Sequence, residues 1–347
     1  MPKVSICIPT YNRAHLVGEA IESALAQEYD DFEVLVSDNC STDATAEVVA
    51  RYQDAGVRYV RADHNRGYVG NLNRCLELAE GEYVMILYDD DLLLPTAIGR
   101  LAGLLDAHPT AGFAYSGCDY VNDAGEVVAR LAPYERDFVE DGRWHFRRNL
   151  MRKLIPASTV MVRAGCYQEV GPYDPDLYLY ADEEMWLRLC LSYDVAYSAE
   201  FVGKARGHQG SMTQLLAKVS VDQEASAHLA GYMGVSTLEH PGPVHFQDLC
   251  RMYAKVFNMQ AVTTLPDHRR LKAMAAGQAL GMGMGHSTLP VSAAREQVLT
   301  SLGPWWTWVW DSRALALWCL ALTGDRGVQV ARFAKGLVSK RARLHEA

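Results

Sequence analysis

No stretch of this 347-residue chain reaches the roughly 18 uninterrupted apolar residues that a membrane-spanning helix needs; the closest, 302–322, is broken by Asp311 and Arg313. There is no CxxC pair either. The eight cysteines stand at 7, 40, 75, 118, 166, 190, 250 and 319, and several lie in apolar runs, as Cys7 does in VSICIP. That argues against a disulfide or zinc framework and for small core residues in a reducing compartment. Basic residues are not in excess: the formal charge is −9, so the composition offers no phosphate-neutralising face and no nucleic-acid partner is expected. No GxGxxG follows the first apolar run, which disfavours a dinucleotide dehydrogenase. The opening MPKVSICIPT is too short and too soon interrupted by Pro9 to be a secretory leader. A cytoplasmic protein is expected.

What is present is a core-forming composition, 49% apolar and 22% charged, enough for one large domain or one domain with an appendage. Short apolar, β-branched runs recur at 4–8, 32–37, 57–61 and 83–88 and read as buried strands. Between them, Val17, Ala20, Ile21, Ala24 and Leu25 share one helical face, Val48, Val49 and Tyr52 a second, and Val69, Leu72, Leu76 and Ala79 a third. Strands alternating with helices imply crossover connections and a mostly parallel sheet, whose ligands bind at the carboxyl ends of the strands. Four polar loops fall there: PTYNR (9–13), DNCSTD (38–43), DHNRGYVGN (63–71) and DDD (89–91). Each alone is ordinary turn chemistry; four in succession point to a site. From about 113 to 210 shorter strand pieces follow, with a hairpin turn at Asn122–Gly125 and a helix in EEMWLRLCL, a mixed second half of the same sheet. From 211 the composition turns helical, so a boundary is placed at 210.

Three adjacent carboxylates, Asp89, Asp90 and Asp91, must be solvated, partly protonated or bound to a cation. If the strand ran through them, Asp89 and Asp91 would converge and Asp90 would turn away. Carboxylate oxygens suit Mg2+ or Mn2+, which share their other positions with phosphate oxygens. The plainer reading is a solvated turn before a helix beginning at Pro95 and Thr96.

VSICIPTYNR, VSDNCSTDAT, NRGYVGNLNRCLELAEGEYVMILYDDDLLLP, ADEEMWLRL and RGHQGSMT, in that order over residues 2–215, resemble the family 2 glycosyltransferases. The resemblance implies an α/β GT-A nucleotide-binding fold, a nucleoside-diphosphate sugar donor (a UDP- or dTDP-sugar), a Mn2+ or Mg2+ cofactor and inversion at the anomeric carbon. It implies that Pro9, Thr10 and Tyr11 pack around base and ribose and that Asp38 hydrogen-bonds the base. Asn39 stands where a second aspartate is common. Asn65, Gly67 and Asn71 would cover ribose and diphosphate, with Arg66 or Arg74 near the phosphates. The family's metal motif reads Asp-x-Asp-Asp; here Tyr88 takes its first position, which leaves Asp91 as the expected principal ligand, with Asp89 beside it and Asp90 toward the nucleotide. The family's base sits at a helix start, and its pattern selects Asp182 over Glu183 and Glu184. On charge alone, all three would serve equally well to stabilise the helix N-terminus. Arg206 and His208 match an Arg-x-His segment suited to a diphosphate and to a metal.

Residues 211–347 match no such motif. Five of seven tryptophans fall in GPWWTWVWDSRALALWCLAL, followed by a basic tail. Two readings stay open, an interfacial membrane contact that would bring a lipid-linked acceptor, or a packed helical subdomain or dimer contact. Against the glycosyltransferase stand a non-catalytic nucleotide-sugar binder, for which Tyr88 speaks, and a sugar-phosphate nucleotidyltransferase, which would need a Gly-rich basic loop after the first strand that PTYNRAHLVG does not provide.

Overall fold

The computed structural model describes residues 1–152, 154–208 and 244–266, with 271 and 275. The chain divides into two compact units, Met1–Pro241 and Gly242–Ala347. The boundary expected at 210 lies outside the described residues, as do the tryptophan cluster and the basic tail.

The first unit begins as the apolar runs require. Strand β1 (Val4–Thr10) is buried at every position, because parallel neighbours flank it on both edges and helices cover its faces. Those neighbours are β2 (Phe32–Asp38) and β4 (Tyr83–Ile86), with β3 (Arg58–Arg61) outside β2. Helices α1 (Val17–Leu25), α2 (Thr45–Ala50) and α3 (Gly67–Leu78) make the crossovers. The apolar face of α1 is buried through Val17, Ala20, Ile21 and Ala24, and that of α3 through Val69, Leu72 and Cys75. The register pairs Thr10 with Asp38 and Cys7 with Ile86, so the loops after β1, β2 and β4 leave the sheet at one edge.

Next come β5 (Leu92–Leu93), α4 (Ala97–Ala107), β6 (Ala111–Ser116), β7 (Cys118–Val121), β8 (Val127–Leu131) and β9 (Phe138–Glu140). They are followed by α5 (Gly142–Arg152), β10 (Val160–Arg163), α6 (Ala164–Val170), α7 (Ala181–Ser192), β11 (Asp194–Ser198) and β12 (Gly203–Arg206). The large sheet runs β3-β2-β1-β4-β10-β6-β11-β9. Its first half is parallel throughout, while β10 lies antiparallel to both β4 and β6. The sheet is therefore mixed, as its second half suggested. Trp186 packs α7 onto it, its ring stacked on Phe113 with centroids 6.1 Å apart, and Leu187 of the same helix is wholly buried.

A second sheet, β5-β12-β7-β8, was not foreseen. It joins the segment after β4 to β12, the last strand described in the unit: Leu93 pairs with Gly203, and β12 runs parallel to β7 with Ala205 opposite Tyr120. The hairpin β7–β8 turns where expected, with the Gly125 N–H donating to the Asn122 carbonyl at 2.9 Å and Gly125 at a φ of +78°. Gly117 fixes the step from β6 into this sheet, because a Cβ there would stand 2.1 Å from the Leu131 carbonyl oxygen. Gly117→Ala is expected to destabilise by about 2 kcal/mol, seen as a melting temperature lower by about 5 °C; an unchanged melting temperature would show that the approach can relax.

In the second unit, α8 (Val244–Asn258) and α9 (Gln260–Thr263) are described. Cys250, Met252, Tyr253, Val256 and Phe257 of α8 are buried. The helical composition expected after 211 is seen in these two elements. No helix among the described residues is long and apolar enough to cross a membrane.

Candidate active site

A cleft of about 450 Å³ opens at the carboxyl edge of the parallel strands. Pro9, Thr10, Tyr11 and Arg13 line it from the loop after β1, and Tyr88 to Asp91 from the turn after β4. Tyr178 and Leu179 enter from the loop before α7, Asp182 from its first turn, and Ala205, Arg206 and Gly207 from the end of β12, so both sheets build it.

Each of the three aspartates has its own partners. β4 ends at Ile86, and residues 88–91 form a turn closed by the Asp91 N–H on the Tyr88 carbonyl at 3.0 Å. The strand alternation that would have joined Asp89 to Asp91 therefore does not apply. Asp89 lies beside the buried Arg13, with Nε 3.9 Å from Oδ1. Asp90 meets His208, Oδ2 to Nε2 at 2.9 Å. Asp91 accepts the Ser158 hydroxyl on Oδ2 at 2.5 Å and the Arg206 N–H on Oδ1 at 2.8 Å. Burial pushes the Asp89 carboxyl up to about 7, and the charge of Asp90 adds to it. The same two causes push Asp91 up to about 8. Positive charge brought beside them would favour the ionised form of both. Among the described residues no group of three or more His, Cys, Asp or Glu side chains is arranged to hold a metal ion.

On the nucleotide side the expected residues separate. Pro9, Thr10, Tyr11 and Asn71 line the cleft; Asp38, Asn65 and Gly67 do not. Asp38 is wholly buried, accepting the Ser41 N–H at 2.8 Å and the Tyr59 hydroxyl at 2.5 Å. It ties β2 to β3 and shapes the loop after β2. Asn65 Oδ1 accepts from Asn39 Nδ2 at 2.7 Å and from the Gly67 N–H at 2.8 Å, which braces the entry to α3. Gly67 itself sits at a φ of +73°, a backbone conformation that glycine adopts at no steric cost. Asn39, in the place of an aspartate, lines the cleft while its side chain also bonds the Arg66 N–H and the Gly67 carbonyl. Asn71 is held by Ser37 at 2.7 and 2.9 Å. Arg74 is spent on the carbonyls of Asp38, Val60 and Arg61, and Arg66 lies near Asp63; neither lines the cleft.

The three acidic residues that open α7 also divide. Asp182 lines the cleft. Glu183 is buried against Asn149, whose Nδ2 donates at 3.1 Å, and Glu184, fully buried, pairs with Arg188 at 2.8 Å. Arg206 lines the cleft with its Nε on the Asp90 carbonyl at 3.2 Å and its guanidinium also paired to Glu19. His208 lies behind Asp90, outside the lining. Several lining residues had no sequence role. Arg13 and Tyr68 lie within two of the polar loops and carried a signal by position. Tyr120 and Tyr178 carried none, since what brings them here is strand pairing and a loop. The Tyr68 and Tyr88 hydroxyls lie 2.6 Å apart, and burial, with the Asp182 carboxylate among the further causes, holds both phenols well above their usual range.

Comparisons with known proteins agree with this architecture. The putative colanic acid biosynthesis glycosyl transferase WcaA of Escherichia coli K12 is 29% identical over 209 residues, 57% of this chain and 70% of its own length. A Campylobacter jejuni GalNAc(5)-diNAcBac-PP-undecaprenol beta-1,3-glucosyltransferase is 41% identical over 104 residues, 29% of this chain and 34% of its own. The chain spans about two thirds of the length of the first curated relatives it matches. S. aureus TarS 1–349 in complex with UDP has the same fold at a TM-score of 0.55 and 18% identity, over 86% of this chain and 89% of that one. The model of glycosyl transferase family 2 matches residues 5–167, the segment that holds all four polar strand-end loops, and in that segment the chain is similar to this family.

Proposed function

We propose that the domain transfers a glycosyl residue, with inversion, from a nucleoside-diphosphate sugar to a hydroxyl of a glycan or lipid-linked saccharide, in the presence of Mn2+ or Mg2+. One observation carries the reading: Asp182 and Asp90, the latter backed by His208, line one cleft at the strand ends. In-line displacement needs a proton acceptor on one side of the anomeric carbon and a leaving diphosphate on the other. Asp182 takes the acceptor hydroxyl's proton as that oxygen bonds to the anomeric carbon. The bond to the diphosphate breaks and its electron pair leaves with the diphosphate oxygen. Arg13 and Arg206, both on the cleft wall, supply fixed positive charge near that group.

Two of the residues present, Asp90 and His208, offer donors that suit a divalent cation. A carboxylate beside an imidazole is a donor set that Mn2+ takes and Mg2+ takes less readily, and two further buried carboxyls are raised in part by the charge of Asp90. Asp90 and His208 would hold the ion, rather than Asp91, whose two oxygens already accept protein donors. When bound, the ion supplies positive charge against the diphosphate. A UDP-sugar donor is supported by the fold shared with TarS, whose UDP and UDP-GlcNAc complexes are known. A lipid-linked acceptor is supported by the name of the Campylobacter relative, whose saccharide is carried on PP-undecaprenol. Neither the relatives nor the fold speaks to a homodimer.

The test is a melting-temperature panel with UDP, GDP and dTDP, each with and without Mn2+. One nucleotide at 100 times its dissociation constant is expected to add about 2.7 kcal/mol, a rise of several degrees that depends on Mn2+. No rise with any of the three would defeat the donor reading. A Mn2+-dependent rise without transfer or donor hydrolysis would favour the non-catalytic binder, for which Tyr88 in the metal motif is the specific observation.

A further inference from the structure

Tyr88 stands where the family's metal motif begins with a carboxylate, and the exchange is one of kind. A carboxylate only accepts hydrogen bonds; a phenol also donates one. The structure gives that phenol a partner. Its hydroxyl lies 2.6 Å from the Tyr68 hydroxyl, with ring centroids 6.0 Å apart. Tyr88 comes from the turn after β4, where its N–H donates to Ser158 Oγ at 3.3 Å. Tyr68 comes from the first turn of α3, so the pair bridges two elements and is fixed from both sides. Both rings line the cleft together with Asp90 and Asp182.

Two phenols carry two O–H protons, and their mutual bond uses one. The second remains for a ligand, since a hydroxyl sealed under substrate without an acceptor costs about 1–3 kcal/mol. In-line displacement fixes the order of groups along the cleft: diphosphate toward Asp90, base at Asp182, transferred sugar between. We propose that the Tyr68–Tyr88 pair is the donor-sugar selector, giving its second proton to a hydroxyl or acetamido oxygen of the transferred pyranose while the two rings set the width of that subsite. The proposal rests on the glycosyltransferase reading above and deepens it. It assigns the pair a positioning role toward the sugar and none toward the nucleotide.

The test is calorimetric titration, in Mn2+, of the wild type, Tyr88→Phe, Tyr68→Phe and the double variant. The ligands are UDP, UDP-glucose, UDP-galactose and UDP-N-acetylglucosamine. The ratio of each nucleotide sugar's affinity to that of UDP isolates what the sugar adds, a quantity that a merely structural role would not move. UDP itself is expected to bind all four proteins within about twofold. The sugar preferred by the wild type is expected to lose about tenfold in either single variant, the scale of one hydrogen bond. The double variant should lose no more than a single one, because the two hydroxyls act as one unit. Unchanged sugar ratios in Tyr88→Phe, or losses that multiply in the double variant, overturn the proposal and leave the parent reading intact. A parallel loss of UDP affinity also overturns it, by making the pair a support of the nucleotide site. Failure of the wild type to bind UDP at all defeats the donor reading, and this inference with it.

Discussion

Asp182→Asn is expected to lower the transfer rate by about a thousandfold, within the range that general-base catalysis contributes, while leaving UDP and Mn2+ binding as they are. The substitution keeps the size of the side chain and its place at the start of α7, where Oδ1 accepts the Glu183 N–H at 2.7 Å. What it removes is the capacity to take a proton. The neighbours supply the control. Glu184→Gln strips the charge that pairs with Arg188 at 2.8 Å in a site with no solvent exposure at the carboxylate. Breaking a buried pair by removing one partner is strongly destabilising, so this variant should melt several degrees lower yet turn over normally at a temperature where it is folded. Rate and melting temperature measured on both variants separate the roles. If Asp182→Asn keeps more than a tenth of the wild-type rate, or Glu184→Gln loses rate without losing stability, the base has been misassigned.

The sequence could not have made that separation by itself. Asp182, Glu183 and Glu184 share one turn of one helix and one plausible purpose, and only their partners in space tell them apart: Asn149 comes from α5, and Arg188 from the next turn of α7. The parallel half of the large sheet was legible for the opposite reason. Its strands are buried on both faces and read as unbroken apolar runs, and its polar loops follow from where those runs stop. The small sheet was not legible, because β5 is two residues long and its partner lies more than a hundred positions away, at Gly203 and Lys204. That pairing is also what delivers Arg206 and His208 to the aspartates. The motif that named those two residues carries no sign of how the chain brings them beside the aspartates. Asp38 shows the reverse case: the loop was correctly marked as a strand end, but the carboxylate is spent on Ser41 and Tyr59 inside the fold.

The aspartate run is where the sequence and the structure part most sharply, and two alanine variants should behave as opposites. Asp91→Ala leaves the Ser158 hydroxyl and the Arg206 N–H in a buried place without their acceptor. Each orphaned donor costs about 1–3 kcal/mol, so the protein is expected to melt markedly lower while its melting temperature still rises on adding Mn2+ and UDP. Asp90→Ala removes the charge that presses on both flanking carboxyls. Without metal it should melt no lower than the wild type, since relief of like-charge repulsion offsets the lost contact with His208. Its response to Mn2+ should vanish, and with it transfer. The measurement is a melting curve for each variant with and without the ion, followed by the rate. Should Asp91→Ala abolish the Mn2+ response with little cost in stability, the ion sits where the strand alternation first suggested, and the turn that closes on the Tyr88 carbonyl opens when the ion binds.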